Sequence, residues 1–255
     1  MRKYLLIVVP AVLLAACASG TEPTPADPLL TALQQVSWGE FNNYQNHVIT
    51  EFVPPNFPVS AYVPRNCTYG STDQTFTCPT QTTSGFSWTV KYLLYDAAGA
   101  SQSAFDEKTT DRVRVIVDAN GTVSTGPTPL PKVVHHHGDL TLTGMLGPRR
   151  IANGLAVDHD TAGSGTDAIA IDATTTVADL AFDNATSAFP SSGAITIDIA
   201  EVYAAGPPPG TTHASLVFSG PGVADFSLRH ERGVILTAAC TLDFRFTPAG
   251  SCTPR

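Results

Sequence analysis

The sequence predicts an all-β protein: an antiparallel meander forming a β-sandwich or a strongly curved, partly open barrel, with one short N-terminal helix. Three observations predict it. The chain is rich in Thr, Gly and Pro and only 14% charged, a composition that favours strands and turns over helices. Apolar and polar residues alternate over strand-length segments. Turn-forming pairs separate those segments at short intervals, and no strand–helix–strand alternation announces a parallel sheet.

The helix is expected just after Asp27-Pro28. Asp27 can accept hydrogen bonds from the first amides, and Pro28 fits the first turn. Leu29, Leu30, Leu33 and Val36 then share one side, and the helix ends near Ser37. A second short helix is expected in SQSAFDEK (101–108). Strands follow from β-branched and aromatic content in FSWTVKYLLYD (86–96) and from alternation in DRVRVIVD (111–118). In the latter, Val113, Val115 and Val117 face one way and Arg112 and Arg114 the other. Asp118-Ala119-Asn120-Gly121 predicts a hairpin turn, with residues 122–124 returning. The segment 131–147 alternates through Leu140, Leu142 and Leu146, and Asn153-Gly154 predicts another turn. Further strands are expected in 166–182, 193–206, 212–220, 223–233 and 234–246, with Pro221-Gly222 as a turn. The proline-rich stretches at 54–58 and 206–210 read as loops or edges, because proline cannot donate to a ladder.

The N-terminus carries a different message. Arg2 and Lys3 precede an apolar run, Tyr4 to Ala16, that is short for a membrane span of about 20 residues. Its length and flanks suit a secretory signal peptide. The run ends Leu14-Ala15-Ala16-Cys17, which resembles the lipobox of bacterial lipoproteins. The resemblance implies cleavage after Ala16, diacylglycerol on the Cys17 sulfur and acylation of the new amino group. Several acyl chains at about 0.8 kcal/mol per buried methylene make a lasting anchor without a spanning helix. Residues 18–28, small, polar and proline-rich, read as an extended tether. The expected organisation is a signal peptide (1–16), a lipidated cysteine with its tether (17–28) and a single β-rich domain (29–255). Ala18, rather than Asp, follows the cysteine, and by the same resemblance the outer membrane is favoured. The remainder is similar to uncharacterised β-rich lipoproteins, with an early cysteine-closed hairpin, a Tyr95-Asp96-x-x-Gly99 turn and a terminal cysteine pair. That likeness brings no known activity.

Loss of Arg2 and Lys3 with the leader takes the formal charge from −8 to −10. With no Lys/Arg cluster, such a domain is a poor nucleic-acid binder. Four cysteines besides Cys17 argue for disulfides in an oxidising compartment. Of three connectivities we favour Cys67–Cys78 and Cys240–Cys252, each closing a short loop that contains turn residues. Their spacings lack the paired-cysteine knuckle of a zinc site.

His135-His136-His137 is the candidate for chemistry. On a strand His135 and His137 share a face, with His136 on the other, and neutral imidazole suits zinc or copper. A third ligand has to come from elsewhere, and His159, Asp158 and Asp160 on the following arm are the candidates. The competing account is a polar strand face. Asp158-His-Asp160-Thr-Ala-Gly163 matches part of a calcium loop but places Ala162 and Ile169 where oxygen ligands belong, so a solvated turn is the better account. Gly163-Ser164-Gly165 lacks a nucleophile-elbow spacing. Glu51, Glu107, Glu201 and Glu231 are scattered, and no phosphate-cradling glycine loop occurs. Trp38, Phe41, Tyr44 and Trp88 could line a cleft, although burial in a core is the commoner fate. The expectation is a non-enzymatic, membrane-anchored β protein without cofactor, with a structural or binding role. The alternatives are an open-barrel carrier of a lipid or other small apolar ligand, and a metal-dependent hydrolase built on His135 and His137.

Overall fold

The computed structural model describes residues 66–83, 85–124, 131–163, 165, 168–183, 190–204, 210–230, 233–242 and 250–254. They are almost entirely strand. In chain order these are β1 (Thr68–Gly70), β2 (Thr75–Thr77), β3 (Gln81–Thr83), β4 (Phe86–Asp96), β5 (Ser101–Gln102), β6 (Thr110–Ser124) and β7 (Pro131–Thr143). There follow β8 (Arg150–Ala162), β9 (Ile169–Phe182), β10 (Ser192–Tyr203), β11 (Gly210–Gly220), β12 (Val223–His230), β13 (Gly233–Leu242) and β14 (Gly250–Pro254).

All fourteen belong to one antiparallel sheet. From β6 to β14 every strand pairs with its neighbours in sequence, and β4 bridges this run to β2 and β1. The short strands β3 and β5 pair only with β4. The fold is therefore the expected all-β meander. Of the two architectures expected, the described strands form a single hydrogen-bonded sheet. The helix expected after Pro28 lies outside the described residues.

Alternation decides the two faces. Val113, Val115, Val117 and Ala119 of β6 are buried, as are Leu140 and Leu142 of β7, Val177 of β9, and Ile195, Ile197 and Ile199 of β10. Leu216 of β11 and Phe226 of β12 continue the same face. One register row crosses seven strands: Val115, Leu140, Gly154, Val177, Ile195, Leu216, Phe226. Apart from Gly154, these residues belong to one contiguous core that also takes in Phe76 and Leu94. Trp88 sits in β4, half-buried, opposite Ala119.

Four sequence expectations are corrected. Residues 101–108 are not helical: Ser101 and Gln102 form β5, and Asp106 organises a single turn. Its carboxylate accepts from Lys108 N at 2.8 Å and its carbonyl from Thr110 N at 2.8 Å. That local bonding competes with a helix. Asp118–Gly121 is no hairpin, because β6 runs on to Ser124. Gly121 takes φ 148° and pairs with Phe86 and Val134, so flanking strands on both sides hold the segment extended. Asn153-Gly154 is likewise inside β8, at an irregularity in its pairing with β9 between Ala152 and Gly154. A Cβ on Gly154 would stand 2.4 Å from the Asp139 carbonyl oxygen, so glycine serves close strand approach there. Leu146, finally, is exposed in the β7–β8 turn, whereas Met145 beside it is buried.

Cys67 and Cys78 form the expected disulfide, clipping the β1–β2 hairpin. In the β13–β14 ladder the backbone places Cys240 directly opposite Cys252.

Candidate functional site

The sheet's exposed face carries a row of paired side chains contributed by neighbouring strands. On β6 and β7, His137 Nδ1 lies 2.6 Å from Asp118 Oδ1. One strand over, His159 Nδ1 bonds Asp172 Oδ1 between β8 and β9. His213 of β11 bonds Asp198 of β10 in the same way. All three are directly opposed pairs in the strand register. The imidazoles are 57%, 55% and 54% exposed. An ionised carboxylate can only accept, so Nδ1 carries the proton, and a neutral ring then presents a bare Nε2 to solvent.

His135 stands directly opposite His159, with ring centroids 6.4 Å apart and planes inclined by 29°. The structure thus brings together two of the three expected metal ligands, His135 and His159, and places His137 on the same face two residues along. It does not close a three-histidine shell. Among the described residues no three His, Cys, Asp or Glu side chains group so as to hold a metal ion. The reason is lateral: His137 is engaged by Asp118 of β6 rather than turned to the His135–His159 pair.

Beside this row Arg114 grips Asp139 with two prongs, Nε reaching Oδ1 at 2.8 Å and Nη2 reaching Oδ2. That hydrogen bond raises the Arg114 pKa above its ordinary value, burial opposing it. Arg114, His137, Asp139, Thr141, Leu155 and Val157 border an open depression of about 500 Å³.

The opposite face has its own polar group. His136 Nδ1 meets Asp158 Oδ1 at 2.8 Å, with side chains only 10% and 7% exposed. Asp160 is buried on the same side. The register neighbours of the pair are Ala119 and Ala173, whose small side chains leave room for a ring and a carboxylate. Asp158 and Asp160 are therefore inward-facing strand residues, and the calcium-loop likeness of this segment is accidental. A recess among Leu140, Ala156, Thr175 and Val177 measures about 10 Å³, at the lower limit for one water. Elsewhere on the buried side, desolvation raises the Tyr92 pKa above 10.0.

Sequence reasoning placed the three histidines on their correct faces but missed Asp118, Asp172 and the His213–Asp198 pair. Face parity follows from a period of two. Cross-strand partners follow from register, and the misplaced hairpin at Asn120-Gly121 hid the pairing of Asp118 with His137.

The chain matches no protein-family profile, no curated protein and no solved structure.

Proposed function

We propose that this protein is an exported lipoprotein, held to the cell envelope through acyl chains on Cys17, whose β-sheet body has a structural or binding role and performs no catalysis. The outer membrane is the favoured site, with the body facing the periplasm or the cell surface. The observation that carries this reading is Leu14-Ala15-Ala16-Cys17 at the end of a short apolar run, followed by a proline-rich tether. Two features of the body support it. A disulfide at Cys67–Cys78 fits an oxidising compartment. The exposed face carries cross-strand His–Asp and Arg–Asp pairs beside exposed Leu155 and Val157, a surface suited to contact rather than to enclosing a substrate.

The test is metabolic labelling with palmitate in a bacterial host, with mass spectrometry of the mature N-terminus. The expected product begins at Cys17 and carries the label. Cys17→Ala should abolish labelling and release the protein from the membrane fraction. An unlabelled wild-type chain beginning elsewhere would overturn the anchor and the location built on it.

A further inference from the structure

We propose that His135 and His159 form a two-imidazole site on the exposed sheet face for a borderline divalent transition metal, Cu²⁺ foremost, with Asp172 as the carboxylate partner of His159 and water completing the shell. The proposal goes beyond the anchored-protein reading and does not depend on it.

Three observations carry it. First, the two rings face each other across adjacent strands, with centroids 6.4 Å apart. Metal–nitrogen bonds of about 2.0–2.1 Å put the centroids of two adjacent imidazoles about 4.5 Å apart in the tetragonal shell of Cu²⁺ and about 5 Å apart in a tetrahedral one. Both histidines are exposed, and rotation of a surface side chain covers that difference. Second, the Nδ1 hydrogen bond to Asp172 holds His159 in the tautomer that offers Nε2. Carboxylates orient and strengthen metal-bound histidines in this manner, and their loss commonly weakens binding 10–100-fold. Third, the neighbouring pairs provide a contrast within one sheet. Across from His137 stands Val157, and across from His213 on its open side stands Arg229. Those imidazoles have a carboxylate but no second ring. Among the described residues, only His135 and His159 meet as opposed imidazoles.

The ligand chemistry selects the ion. Imidazole nitrogen suits Cu²⁺, Ni²⁺ and Zn²⁺, and affinity rises along the series to a maximum at Cu²⁺. Two protein donors leave coordination positions to water, so the site is open and exchangeable, distinct from a buried structural centre.

The experiment titrates the full mature chain, without an affinity tag, with Cu²⁺ alone, followed by calorimetry and electron paramagnetic resonance. One site is expected, with a spectrum showing coordination by two nitrogens. His135→Gln and His159→Gln should each weaken Cu²⁺ at least tenfold, and Asp172→Ala by about tenfold. His213→Gln should leave the affinity unchanged. Circular dichroism and thermal midpoints establish that the variants remain folded, as expected for exposed positions. Wild-type protein showing no saturable Cu²⁺ site, or folded His135→Gln and His159→Gln variants binding as tightly as wild type, would overturn the proposal. So would a loss on His213→Gln equal to that on His159→Gln.

Discussion

Asp158 and Asp172 occupy neighbouring strands and each bonds a histidine, yet they look out of opposite faces. Burial separates their energetic roles. Removing one member of a buried hydrogen-bonded pair costs about 1–3 kcal/mol, while an exposed pair contributes under about 1 kcal/mol. Asp158→Ala should therefore lower the urea midpoint sharply, and Asp172→Ala should barely move it. Equal shifts in the two variants would contradict the assignment of faces. Tyr92 supplies a pH dependence. Its folded pKa is raised above 10.0, so the folded state retains the phenol proton that the unfolded state releases first. Its effect is absent below pH 10.0 and becomes destabilising as pH climbs from there through the folded value. Unfolding curves between pH 9 and 12 (about that window, from the ordinary tyrosine value) should show a loss of stability that Tyr92→Phe reduces.

At the scale of the strand, glycine acts in two ways. Gly154 is needed because a Cβ there would collide with the Asp139 carbonyl and with Leu140. At Gly220 a Cβ would meet nothing within 4 Å. Gly154→Ala should cost about 1–3 kcal/mol through forced backbone shifts, and Gly220→Ala under about 0.5 kcal/mol, both read from denaturant midpoints. The same element shows how far sequence could go. Val113, Val115 and Val117 announced their burial through alternation, and the strand 86–96 was bounded correctly by composition. The Asn-Gly pairs misled because a dipeptide's turn propensity is weak against two long flanking ladders. β6 has β4 on one side and β7 on the other along this stretch, so extending the strand makes hydrogen bonds with both that a turn would forgo. On the exposed face His135 and His137 could be placed by parity, while Asp118, the partner of His137, required the register that this error displaced.

For the molecule as a whole, among the described residues the buried face is mostly apolar but also holds Asp158, Asp160 and Thr175, while the exposed face mixes His, Asp and Arg with Leu155, Val157 and Val217. The core should behave as one cooperative unit around its central row. Leu216 is fully buried, and Leu216→Ala should cost about 2–5 kcal/mol by thermal or chemical unfolding. Amide exchange should grade across the sheet, slowest in β7–β9, which have long partners on both sides, and fastest in β1 and β14 at its ends.

The sequential order of the strands governs the response to load. The Cys67–Cys78 disulfide closes the β1–β2 hairpin against a pull, so tension applied at residues 66 and 254 is borne by the hairpins that follow, whose cross-strand bonds lie along the pull and rupture singly rather than together. Such a body peels open one hairpin at a time under modest stretch and can rezip on relaxation, and a single-molecule trace should show many small steps in place of one tall peak.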